Sequence, residues 1–152
     1  AHRRAAGVFH FCGLGYSRSA PPRGQTSDHF TDLRNLTFEP EFYKYVRPSF
    51  APVGLMIDVW EKSCPAATQL TVPVYVINDL KEPFEQEVTL DLLRDGQPVA
   101  THRLPAKVNP YGVQTVSFAL TLPAEPGDYQ LKAGITYTNQ PVFSLRDLPV
   151  IK

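Results

Sequence analysis

From Gly54 to the C-terminus, apolar and polar positions alternate with a period of two, the signature of half-buried strands. "GLMIDVWE" (54–61) sets Leu55, Ile57 and Val59 against Met56, Asp58 and Trp60. "LTVPVYVIND" (70–79) places Leu70, Val72, Val74 and Val76 on one face. Pro73, on the other face, predicts a strand with one unpaired edge at that point, because proline has no N–H to give a ladder. "QEVTLDLLRDGQPVATHRL" (86–104) reads as two strands joined at Asp95-Gly96, a dipeptide that tolerates the positive φ of a type I′ hairpin turn. "GVQTVSFALTLP" (112–123) turns Val116, Phe118, Leu120 and Leu122 inward. "GDYQLKAGITYTN" (127–139) does the same with Tyr129, Leu131, Ala133, Ile135 and Tyr137, and "PVFSLRDLPVIK" (141–152) closes the chain. Seven short strands with turn residues about every ten positions predict an antiparallel β-sandwich of the immunoglobulin type over 51–152. In "EPGDY", Tyr129 is expected to tie a corner through its hydroxyl.

Before Gly54 the texture changes. "GVFHFC" (7–12) is apolar on both faces, as in a strand covered on both sides. "SDHFTDLRNL" (27–36) predicts a short helix capped by Ser27 or Asp28. "EPEFYKYVRP" (39–48) predicts another, with Pro40 in its first turn and Pro48 as its stop. Residues 1–50 hold too little apolar surface for a domain of their own and read as an ordered arm.

Composition narrows the function classes. Fifteen prolines are about twice the usual ~5% share and favour loops and sheet edges over helices. Fifteen basic side chains balance fifteen acidic ones, so no net field draws nucleic acid or anionic lipid. No apolar run approaches the ~20 residues of a membrane helix. No signal peptide is visible, and Ala1 at the start reads as a processed or excised chain. The two cysteines, Cys12 and Cys64, are expected to be free and mostly buried.

The order of a strand with "HFCGLGYSR", a loop "RGQTSDHF", then "RPSFAPVGLMIDVWEK" and "VPVYVINDL" resembles the end of the barrel and the following β-sandwich of family 2 glycoside hydrolases, the β-galactosidase type. The resemblance implies that Gly7–Cys12 is the last strand of a (β/α)8 barrel and that 1–50 is its remnant. Residues 51–152 would then be the immunoglobulin-like domain after it. Family members use two carboxylates about 5–5.5 Å apart for a retaining mechanism. Both would lie on earlier barrel strands, so the chain is expected to be inactive alone, with a scaffolding role beside the parent's catalytic barrel. The parent, if bacterial, would be periplasmic or secreted.

Candidate sites follow from the same frame. His10, Tyr16, Ser17, Arg18 and Arg23 sit on or after the strand's C-terminal end, where a barrel carries its active site, and would approach the substrate in the intact parent. Trp60, Tyr75 and Tyr111 are the aromatics that could stack on a sugar, which keeps a carbohydrate-binding module as an alternative. An adhesion-type sandwich using an edge strand is a second alternative. Trp60 is expected to pack on the arm. His10, Cys12 and His29 lack the fourth ligand of a structural zinc site, so no metal and no cofactor is expected. Ser17 with His29 lacks a nucleophile elbow and a third member. The "NLT" at Asn35 matches a glycosylation sequon. Strand 7–12, left without barrel neighbours, is expected to pair with a sandwich edge or with a second copy of the chain.

Overall fold

Two short hairpins and a helix come first along the chain. The structure, a computed structural model, describes residues 16–17, 25–26, 29–32 and 34–152. It divides into two units, residues 1–47 and Pro48–Lys152. In the first, β1 (Tyr16–Ser17) pairs antiparallel with β2 (Gln25–Thr26), and β3 (Phe30–Asp32) with β4 (Thr37–Phe38). The helix expected over 27–36 is therefore a hairpin. The Asp32 carboxylate explains the difference. It accepts the backbone N–H groups of Arg34 (2.9 Å) and Asn35 (3.1 Å) and the Asn35 side-chain amide (2.6 Å), which offers the backbone a turn in place of a helix. Leu36 follows at φ 53°, and Phe30 stacks on Phe38 across the strands at 4.7 Å. These bonds also hold the Asp32 carboxyl below its ordinary value, the Asn35 amide contributing most.

Helix α1 (Pro40–Ser49) forms where expected, with Pro40 in its first turn. Glu39 caps it. Its carbonyl accepts the Tyr43 N–H at 3.1 Å and its carboxylate accepts the Phe42 N–H at 2.6 Å. Pro48 sits in the last turn and the helix ends one residue later. A barrel remnant calls for a parallel strand followed by its helix. The described strands of this unit pair only as antiparallel hairpins, so the barrel arm is not shown. The strand expected at 7–12, with its pairing or self-association, lies outside the described residues.

The second unit is mainly β. Its strands are β5 (Val53–Ile57), β6 (Cys64–Pro65), β7 (Gln69–Asn78), β8 (Phe84–Arg94), β9 (Gln97–Val108), β10 (Val113–Thr121), β11 (Gly127–Tyr137) and β12 (Gln140–Ile151). Two sheets result, ordered β10-β7-β5 and β6-β12-β11-β8-β9. All pairs are antiparallel except β6 with β12, where Cys64 lies beside Val150. Asp95 and Gly96 form the β8–β9 turn at φ 51° and 76°, the positive pair that a type I′ turn needs.

The alternation predicts the core. Val72, Val74 and Val76 of β7, Val116, Phe118 and Leu120 of β10, and Tyr129, Leu131, Ala133 and Ile135 of β11 are all buried, and both sheets feed the same cluster. Leu55, Leu70 and Tyr137 pack at its margin. Pro73 lies where the β5–β7 ladder ends. Its carbonyl accepts the Asp58 N–H at 2.9 Å, one step beyond the Ile57–Val74 pair, and Ser117 of β10 lies on its other side, so in place of the expected unpaired edge the proline only leaves this step without its return bond. The Tyr129 hydroxyl donates to the Glu125 carbonyl at 3.0 Å, closing the corner as its position predicts.

Candidate functional site

Of the aromatics picked out from the sequence, Trp60 has the most organised surroundings. Asp58 and Trp60 follow β5 and point away from buried Val59. The indole Nε1–H donates to Asp58 Oδ1 at 2.5 Å, and the Trp60 backbone N–H donates to the Glu61 carboxylate at 3.0 Å. Trp60 as a residue is 57% exposed. Against it, 4.2 Å from the ring to the guanidinium carbon, lies Arg146 from β12.

The strand period explains why an arginine reaches this place. Val142, Leu148 and Val150 of β12 turn inward, and Ser144 and Arg146 share their parity. Ser144 Oγ accepts the Ile57 N–H at 3.1 Å and so bridges the two sheets. Arg146 leaves the core beside it. Its Nε is buried with no hydrogen-bond partner among the described residues, and its charge is spent on the indole face. The indole is therefore a fixed platform, anchored at its N–H edge and with a cation on its ring.

Tyr75 and Tyr111 do not join that platform. Tyr75 is half-buried on the outward face of β7, between Met56 and Thr115. Tyr111, 74% exposed, sits in the β9–β10 turn at φ 53°, its N–H bonded to Leu80. Trp60 follows the end of β5 that lies beside Val74 and Pro73, whereas Tyr111 lies past the Asn78 end. At ~3.3 Å per residue along β7 the two are roughly 20 Å apart.

The remaining candidates divide by what is described. His10, Cys12, Arg18 and Arg23 lie outside the described residues. Tyr16 and Ser17 are placed only as backbone, opposite Thr26 and Gln25. His29 is buried and stacks on Phe42 at 4.8 Å, in a row of rings that continues through Phe38 to Tyr43. That is a packing environment for an imidazole. Asn35, the sequon asparagine, is exposed and engaged with Asp32. Cys64 is free and buried, and burial pushes its thiol pKa up, with a smaller contribution from Glu61. Among the described residues, no three His, Cys, Asp or Glu side chains gather as a metal-ligand set.

Arg146 escaped the sequence reading, and so did Asn78. Asn78 ends the alternating run of β7 and is completely buried. Its amide donates to the carbonyls of Glu82 (2.8 Å), Asn109 (3.1 Å) and, more weakly, Val108 (3.4 Å). Its Oδ1 accepts the Leu80 N–H at 3.1 Å. It ties two loops to one end of the sheets. The only signal was an asparagine next to Asp79 at a strand end, which reads equally well as a turn residue.

No protein-family model and no curated protein matches the chain. Among solved structures, it is similar to a β-glucosidase from Listeria innocua in complex with glucose, at 15% identity and a TM-score of 0.53, over 68% of this chain and 16% of that one. The same enzyme with gluconolactone gives 16% identity and a TM-score of 0.52 over the same shares. A superoxide reductase from Ignicoccus hospitalis matches 80% of this chain and all of its own at 17% identity, but its TM-score of 0.48 carries no argument. The chain thus spans about one sixth of the β-glucosidases it resembles, and at that identity the likeness is one of fold. The β-glucosidase matches overturn the resemblance to family 2 β-galactosidases and the assignment to the immunoglobulin-like domain of that family, which they do not support. The reason is physical. "FAPVGLMIDVWEK" and "VPVYVINDL" are β5, β7 and their flanks, and their apolar alternation is what any packed pair of sheets requires.

Proposed function

We propose that residues 48–152 form a non-catalytic β-sandwich that serves as a structural domain within a larger carbohydrate-processing protein. We read β10-β7-β5 and β12-β11-β8-β9 as the two sheets of an immunoglobulin-type sandwich. The observation that carries the reading is the use made of its polar side chains. Asp58 holds Trp60, Ser144 bridges the sheets, Glu125 and Tyr129 close a corner with Arg94, and Asn78 fastens two loops. Each serves the fold. The likeness to one sixth of a β-glucosidase chain supports a part of an enzyme rather than a whole one. The test is turnover of chromogenic β-glucosides and β-galactosides by the purified chain. No hydrolysis above buffer is expected. Activity that co-elutes with the protein through two orthogonal columns would refute the proposal.

A further inference from the structure

The outward face of the five-stranded sheet carries a groove of about 520 Å³ over β8, β11 and β12. Its cross-section is set by register. Thr89 of β8 lies opposite Gly134 of β11, and Gly134 lies opposite Phe143 of β12, so glycine forms the floor between a hydroxyl and an aromatic ring. Gly134 has no conformational reason to be glycine. Its φ is ordinary, and a Cβ built there meets no atom within 4 Å. Glycine inside a strand weakens it, and aromatic neighbours often compensate by folding over it. Phe143 does not, since a ring lying on Gly134 would have atoms inside that 4 Å shell. The space above the glycine is open, which leaves room for a close approach from outside.

The walls define the visitor. Glu87, Thr89 and Asp91 share the outward parity of β8, so three oxygen-bearing side chains rise in a row about 7 Å apart along one wall. Asp91 is oriented by the Thr101 hydroxyl, which donates to its Oδ1 at 2.7 Å. Phe143 forms the opposite wall, with the Lys132 ammonium 5.6 Å from its ring centre. Two carboxylates against one ammonium disfavour an anion. Acceptors in a row facing an apolar ring suit a neutral molecule with hydroxyls on its edge and C–H groups on its face. The volume is in the range of small-ligand sites.

We propose that this groove binds a neutral saccharide, with Phe143 as the stacking surface, Glu87, Thr89 and Asp91 as hydroxyl acceptors, and Gly134 as the floor that admits the ring. The site is separate from Trp60, Tyr75 and Tyr111, and it does not depend on the absence of hydrolysis. Isothermal titration and backbone amide NMR shifts of the full chain are measured with cellotetraose, laminaritetraose, xylotetraose and mannotetraose, and with tetragalacturonate as the anionic comparison. At least one neutral oligomer is expected to bind saturably at millimolar or lower concentration, with shifts centred on 87–91, 132–136 and 141–143, and the anionic oligomer more weakly. Phe143→Ala is expected to weaken binding tenfold or more. Gly134→Val fills the floor and should abolish binding without lowering the melting temperature, because the strand gains a β-branched residue in open space. No saturable binding by any neutral oligomer, tighter binding of the anionic one, or full binding by a folded Gly134→Val chain would each overturn the proposal.

Discussion

Asn78 offers the sharpest test of how the second unit is held at one end. Replacing it by leucine keeps the branched shape with bulkier ends and removes every side-chain polar contact. The Glu82 and Asn109 carbonyls and the Leu80 N–H lose their partners, and the Val108 carbonyl loses a weak one. The contacts to Glu82, Asn109 and Leu80 are only partly buried, so water can replace some of what is lost. The Val108 contact is buried, and water cannot reach it. Each orphaned group costs about 1 kcal/mol where water reaches it and up to ~3 kcal/mol where it does not. The three groups that water reaches and the one it does not sum to about 3–6 kcal/mol, a large fraction of the stability of a domain this size. Urea unfolding followed by the fluorescence of Trp60, the single tryptophan, should show a lower midpoint with an unchanged slope. Asn78→Asp should be at least as damaging at neutral pH, because it turns a donor facing three carbonyls into a buried acceptor. A loss below about 0.5 kcal/mol for Asn78→Leu, the scale of a surface change, would refute this reasoning. The loops would then be held by backbone bonds alone, such as Asn78 N–H to Gly112 and Tyr111 N–H to Leu80.

Further expectations concern the other tied points. Trp60→Ala, Arg146→Ala and the double variant should give a coupling of about 0.5–2 kcal/mol in a double-mutant cycle, and additivity within ~0.3 kcal/mol would mean that the stacked pair contributes nothing. Tyr129→Phe should cost about 1 kcal/mol in chemical denaturation, the worth of one hydroxyl-to-carbonyl bond, and a neutral result would remove the corner from the stabilising contacts. The Arg94 guanidinium, hydrogen-bonded to Glu125, holds that carboxyl below its ordinary value. A depressed folded pKa contributes stability above the unfolded glutamate range and loses it as pH falls through the folded value. Glu125→Gln should therefore be less stable than the parent chain at neutral pH and equal to it in acid, and a gap that persists in acid would contradict this assignment. Cys64, in a Cys12→Ser background, should react with a disulfide reagent at pH 8 only at the rate of unfolding, because the thiol is buried and its pKa raised; rapid labelling of the folded chain would contradict its placement.

The second unit was legible in the sequence because its determinants are local. A period of two names the inward residues, Asp95-Gly96 fixes one register, and Tyr129 announces its corner, all without knowledge of the partner strand. The hairpin over Phe30–Phe38 was not legible. Residues 27–36 present a helix cap and no strong period, and what decides against the helix is the Asp32 turn and a ring pair that forms only once the strands meet. Arg146 was missed for a similar reason. On β12 it occupies a core-facing parity that a charge should not hold, and only the arrival of Trp60 from 86 positions earlier gives that charge a place. The family resemblance failed because it rested on segments whose pattern reports burial, and burial is common to many unrelated β folds.

The same distinction bears on where function resides in the second unit. Inward positions are determined by packing: Val72, Leu90, Phe118 or Leu131 could hardly be other than apolar. Polar groups near the core are determined by satisfaction, as Asn78 and Ser144 are. Neither constraint reaches the outward face of β8, β11 and β12. There a valine at 134 would meet open space and suit the strand better than glycine does, while Phe143 leaves the glycine uncovered. Folding does not select that combination. Gly96 shows the contrast, since its φ of 76° accounts for it fully. The proposed saccharide site supplies the reason that folding does not, since Gly134 forms the floor of a groove walled by hydroxyl acceptors and a ring.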